Sequence, residues 1–163
     1  MHAKVLLLAH EDEGSFGFIV NRPTEVKVSD ILRGLEIEWQ GGPAATAFLG
    51  GPVQPQLGTV LYGNDRAEQV LPGLAITQQL ADLAGLAAEP PAHFKLMLGY
   101  AGWGAGQLVE EILRNDWLTA PASSDLVFAP VAEEAWDQAL RSVGIDPLTL
   151  PSWTASGSEE SAN

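Results

Sequence analysis

Four glycines in eight residues, Gly99, Gly102, Gly104 and Gly106, lead into a run of helical periodicity. This is where the chain is best suited to hold a phosphate. Glycine lets an anion approach the backbone, and the start of a helix offers free N–H groups. Neither nucleotide fingerprint is completed, however. G-x-G-x-x-G fails because Gly102-x-Gly104-x-Gly106 runs on into Gln107 and Leu108. G-x-x-x-x-G-K-[ST] fails because Gly99 and Gly104 are followed by Ala105 and Gly106, with no Lys, Ser or Thr in the loop. Glu110 and Glu111 fall early in the helix, where they suit the dipole and repel an anion. Glycines that permit positive φ and close strand–helix packing are the better-supported reading, with phosphate binding as the alternative.

A second candidate is Asn21-Arg22-Pro23. Proline holds Arg22 extended and removes a ladder donor, so a strand ends here, and Asn21 tolerates turn geometry. Arg22 either offers its fork of donors to an anion or partner carboxylate, or makes a structural ion pair. Tyr100 and Trp103, flanked by glycine, are candidates for presentation in a cleft, with core packing as the competing role. The candidate ligand-binding set is therefore Asn21, Arg22, Tyr100, Gly102, Trp103, Gly104 and Gly106.

Other chemistry lacks its residues. There is no cysteine, no G-x-S-x-G, no H-E-x-x-H and no zinc-finger spacing. The three histidines, His2, His10 and His93, are scattered. His10-Glu11-Asp12-Glu13 reads as a solvated acidic turn, since consecutive loop residues seldom converge on one metal ion. Glu110-Glu111 and Glu133-Glu134 read as neighbours on helix surfaces rather than acid/base pairs, with Glu110 able to pair with Arg114. No catalytic residue, metal site or cofactor is assigned.

The elements that must position these residues follow from periodicity. Val5–Ala9 and Phe16–Val20 predict a β-hairpin, with Gly14 supplying positive φ in its turn. Ser29 is expected to cap a helix through Leu35 with Ile31, Leu32 and Leu35 inward. Thr46–Gly50 and Leu57–Gly63 predict strands around Gly51-Pro52, where a cis bond is an option. Leu74–Thr77 predicts a short strand, and Thr77 a cap for a helix carrying Leu80, Leu83, Ala84 and Ala87. Phe94–Leu98 reads as a strand buried on both faces, residues 99–106 as a glycine turn, and Leu108 to Trp117 as an amphipathic helix. Leu118–Ala122 and Leu126–Phe128 read as short strands. Pro130 opens a last helix that packs Ala132, Trp136, Ala139, Leu140 and Val143 and stops at Gly144.

The 163 residues predict one domain over 1–150 and a small, polar, disordered tail over 151–163. Val5–Ala9 is too short to span a bilayer, so a cytoplasmic location is expected. Eight basic residues against twenty-one acidic ones give a net charge of −13. The cations are scattered, which argues against direct nucleic-acid binding and against anionic membrane surfaces.

Gly99-Tyr100-Ala101-Gly102-Trp103-Gly104-Ala105-Gly106-Gln107-Leu108 with Asn115-Asp116-Trp117-Leu118 resembles the signature of the AlgH/YqgE family of bacterial proteins. Gly17-Phe18-Ile19-Val20-Asn21-Arg22-Pro23, Gly50-Gly51-Pro52-Val53 and Trp136 to Asp146 agree with it, so the resemblance spans about residues 5 to 150. It implies an α+β fold whose mixed, bifurcated sheet is bent into a pseudo-barrel with helices around it. It carries no settled activity, although one branch is named as a transcriptional regulator of alginate synthesis. Family members usually begin with a further N-terminal strand and a Pro-Asp-Pro-like stretch that have no counterpart here. The expected function is a non-catalytic cytoplasmic binding or regulatory domain with a protein or small-molecule partner. The alternative is a nucleotide- or phosphometabolite-binding protein or enzyme using the Gly99–Gly106 loop with Arg22.

Overall fold

The computed structural model describes Lys4, residues 6–11, 14–63, 69–129, 132–146 and Leu148. In chain order the elements are β1 (Leu6–Glu11), β2 (Gly14–Ile19), β3 (Pro23–Lys27), α1 (Val28–Gly34), β4 (Thr46–Leu49), β5 (Val53–Tyr62), β6 (Ala75–Thr77), α2 (Leu80–Ala88), β7 (Phe94–Gly104), α3 (Gln107–Leu113), α4 (Ser124–Val127) and α5 (Ala132–Ser142). The expected tail and Pro130 lie outside the described residues.

β7 organises the sheet. Its continuous apolar run is what a strand covered on both faces requires. Leu96 and Leu98 pack with Val28, Leu32, Val60 and Ala87 against α1 and α2. Met97 and Tyr100 pack with Phe18, Val20, Leu61, Leu74 and Val127 in a second core. Full burial of a side chain such as Leu32, Leu61 or Leu74 stabilises by roughly 1.5–3 kcal/mol each.

The first half of β7 pairs with β4 in parallel (Phe48↔Met97) and with β5 in antiparallel (Val60↔Leu96). Its second half pairs with β2, from Gly17↔Ala101 to Gly14↔Gly104. The split occurs where the chain leaves β4. The Gly50 N–H donates to the Leu98 carbonyl at 2.8 Å, while the Gly50 carbonyl accepts from the Ile19 N–H at 2.8 Å. Gly50 thus wedges β2 away from β7. Only bare backbone fits there: a Cβ on Gly50 would strike the Gly99 carbonyl, and one on Gly51 the Tyr100 carbonyl. Gly99 itself holds φ at 74°, a region favourable to glycine.

The mixed α+β sheet with its fork agrees with expectation, but the pseudo-barrel does not. The strand path β1-β2-β7-β4-β3 is open, with β5 and β6 as a branch, and no pairing among the described residues joins its ends. The reason is the wedge itself. Once Gly50 parts β2 from β4's neighbours, the two arms diverge, and β1 and β3 are left as separate edges.

Other local expectations shift for identifiable reasons. β7 continues through Gly99, Gly102 and Gly104, because ladder pairing needs backbone and not side chains; only Ala105-Gly106 form the turn. Gly14 has the expected positive φ, 155°, but it opens β2 directly opposite Gly104, where a Cβ would also come within 2.9 Å of the Trp103 carbonyl. α1 begins at Val28 with no side-chain cap, Ser29 lies inside it, and Leu35 is exposed. The Thr77 hydroxyl accepts from the Gln79 N–H and donates to Asp82 Oδ2 at 2.6 Å, fastening the α2 entry from two residues before its N-cap. Leu80 in α2 is exposed. β5 starts at Val53 rather than Leu57, and the Gly51–Pro52 bond is trans. Leu126-Val127 form α4 instead of a strand, since the Ser123 hydroxyl accepts from the Leu126 N–H at 3.2 Å as an N-cap. Residues 117–123 carry no regular structure. α5 buries Ala135 and Leu140 and ends at Ser142; Val143, exposed, and Gly144, at φ 82°, form the turn that stops it.

Candidate functional site

The glycine unit presents little free backbone. Gly102 lies opposite Phe16 in the ladder, and the Gly104 N–H donates to the Gln107 Oε1 at 3.0 Å. Gly106 adopts φ 77° to start α3, and is the one residue of the four with open space where a Cβ would stand. α3 is seven residues long. Trp103 is buried on the α3 side with Ala101 and Leu108, and meets Trp117 edge-on at 6.1 Å. Tyr100 is half-buried on the opposite side, and a Cβ on Gly102 would come within 3.7 Å of its ring. Trp103 is thus a core ring, and Tyr100 the more available of the two aromatics.

Arg22 is not brought to this unit. Gly102 faces Phe16, the β2–β7 pairing ends at Gly17↔Ala101, and Arg22 lies beyond it, past the bend at Val20-Asn21. The Arg22 carbonyl accepts from the Leu49 N–H at 2.9 Å, which fixes the strand end beside β4. Its side chain is half-buried, and the guanidinium has no hydrogen bond or ion pair among the described residues. Asn21, next to it, is buried.

The residue that does meet this strand end is Lys95, from the first half of β7. Its Nζ donates to the Val20 carbonyl at 2.6 Å and lies 4.4 Å from the centre of the Phe48 ring. The side chain is 7% exposed. Burial pushes its pKa down from 10.5 to about 8, because a desolvated ammonium is disfavoured relative to the neutral amine. In the sequence Lys95 is one of eight scattered cations. The available signal was its position: one charge inside the run Phe94–Leu98, already read as an interior strand, must find its partners within the protein.

A cleft of about 560 Å³ lies elsewhere, lined by His93, Ser124, Gly63 and Gly73 among others. His93 stacks on Phe128 at 4.9 Å, and no hydrogen bond links it to Ser124, so no activated hydroxyl is formed. On α3, Glu111 is buried rather than on the surface, with Oε2 lacking a partner, as does the buried Trp117 Nε1. Arg114 pairs with Asp116 at 3.1 Å instead of Glu110.

The profile of the AlgH-like family matches residues 2–148. A UPF0301 protein of Ruegeria pomeroyi is 42% identical over 154 residues, covering 90% of this chain and 84% of its own length. A UPF0301 protein of Myxococcus xanthus is 36% identical over 150 residues, with 90% and 83% covered. The solution structure of the AlgH protein from Pseudomonas aeruginosa superposes with a TM-score of 0.71 at 32% identity, covering 88% of this chain and 80% of that one. A crystal structure of a protein from Corynebacterium diphtheriae, at 24% identity and a TM-score of 0.69 over 95% of this chain and 81% of that one, shares the fold. No helix among the described residues is long and apolar enough to cross a membrane.

Proposed function

The chain belongs to the AlgH-like family, and from that premise we propose that it is a non-catalytic binding or regulatory domain. It acts in the cytoplasm through a protein or small-molecule partner. The observation that carries this reading is the Arg22 guanidinium, half-buried at a strand end and without a partner among the described residues, in a chain whose net charge is −13. An arginine that finds no carboxylate among the described residues is available to something outside the fold. The aromatic Tyr100, half-exposed beyond the same core, is a further contact candidate.

The phosphate alternative draws less support. It needs Arg22 beside Gly102–Gly106, and Arg22 lies outside the β2–β7 pairing, which ends at Gly17↔Ala101. Direct reading of DNA is also disfavoured by the net charge. Affinity capture from the host with the intact chain, run beside Arg22→Ala, tests the proposal: a partner held by the former and lost from the latter is expected. A thermal-shift screen of nucleotides and phosphometabolites is expected to be flat. A saturable shift that disappears in Arg22→Ala would favour the phosphate reading instead.

A further inference from the structure

Two cations of this acidic chain stand at one strand end with no acid to answer them among the described residues. Lys95 touches the Val20 carbonyl and the Phe48 ring, neither of which carries a negative charge. Its other two N–H donors have no partner among the described residues. Arg22 follows Val20 by two residues, just past the bend at Val20-Asn21. With twenty-one acids for eight cations, an acidic neighbour is the ordinary outcome. Arg33 has Asp30 and Arg114 has Asp116, both at exposed positions where a pair contributes little. The buried ammonium, for which a counter-charge matters most, has none among the described residues.

We propose that Lys95 Nζ and the Arg22 guanidinium form a receptor for a carboxylate, on either side of Val20-Asn21. The inference rests on the binding-domain reading above and gives its ligand a chemical class. Arg22 supplies a planar pair of donors that matches the carboxylate fork, and Lys95 supplies a point charge from the interior. The protein's own field selects within the anions. A chain of net charge −13 repels a phosphate dianion about twice as strongly as a carboxylate at the same distance. Desolvation of Lys95 is relieved by the bound charge, so ligand and proton bind together. The lowered pKa of Lys95, about 8, agrees with an ammonium that lacks its counter-ion.

Lysine side-chain NMR on the full chain tests this, with sodium propionate, a neutral-capped peptide carrying one glutamate, inorganic phosphate and sodium chloride as separate titrants. Propionate or the peptide should shift the Lys95 ε resonances saturably and raise the pH midpoint of Lys95. Arg22→Gln should weaken that binding roughly tenfold or more, and Lys27→Gln, an exposed cation on β3, should leave it unchanged. A response to propionate points to a free metabolite, and a response to the peptide alone points to a protein side chain. Failure of both to saturate, an equal response to chloride, tighter binding of phosphate, or no effect of Arg22→Gln overturns the receptor. The two readings fail separately. A host partner captured equally by Arg22→Gln leaves a binding domain without this receptor, whereas turnover of a bound carboxylate leaves the receptor and removes the non-catalytic reading.

Discussion

The glycine unit on β7 and the strand end at Val20–Arg22 are both fed by the same central strand, yet they use their residues in opposite ways. At Gly99–Gly104 every unusual feature is answered internally. Gly99 fits against the 51–53 segment, Gly102 and Gly104 sit in the β2 ladder, and Trp103 is buried beneath α3. At the strand end, a buried ammonium and a half-buried guanidinium are left, among the described residues, with a single carbonyl and a ring between them. The more conspicuous motif is the more structural. Close backbone approach demands a particular residue at each position, so it writes a strong pattern into the sequence; an unsatisfied charge needs only one lysine in the right register.

The comparison breaks most readily at the fork. Gly51→Ala would press a methyl group into the Tyr100 carbonyl, a backbone contact that cannot rotate away. It should cost about 3 kcal/mol or more in denaturant unfolding, or abolish folding. A loss under about 1 kcal/mol would mean that the glycines at the fork are not packed as described.

The second test concerns charge rather than packing. Lys95 loses its proton near pH 8 in the native state but near 10.5 when unfolded. Between those values the unfolded chain binds more protons, so stability rises with pH across that window; below about 8 both states are charged and the cost of burial is present in full. The rise should reach at most about 3 kcal/mol. Urea unfolding of the parent and Lys95→Met from pH 7 to pH 10.5 isolates it, since the variant should lack that rise while sharing every other titration. Parallel curves for the two proteins would remove the buried ammonium.

The smallest effect belongs to Gly106, with open space around it and only its φ of 77° to satisfy. Gly106→Ala should cost about 1 kcal/mol by denaturant unfolding, and Gly106→Asn less, because asparagine tolerates that conformation. A loss as large as that of Gly51→Ala would show that the α3 turn is packed after all.

Much of the fold was readable because its elements depend on local chemistry. The β1–β2 hairpin, the interior run Phe94–Leu98, the short β6 and the stop of α5 at Gly144 follow from periodicity and glycine conformation. Short apolar stretches were less certain: Leu126-Val127 took the helix offered by the Ser123 cap, because two or three apolar residues have no period to measure. At the candidate site, Arg22 stood out in the sequence because the chain has few cations, whereas Lys95 did not, because its importance lies in a hydrogen bond made across 75 residues of chain.

Residue order thus decided the family, the central strand and the glycines that let it be approached, since each follows from what neighbouring residues permit. Tertiary structure alone decided that the sheet stays open and that Lys95 reaches the Arg22 strand end. Both rest on pairings between segments distant in the chain: Gly50 between Ile19 and Leu98, and the β2–β7 and β4–β7 registers on either side of it. Registers are set by packing across the whole sheet, where no local pattern reaches.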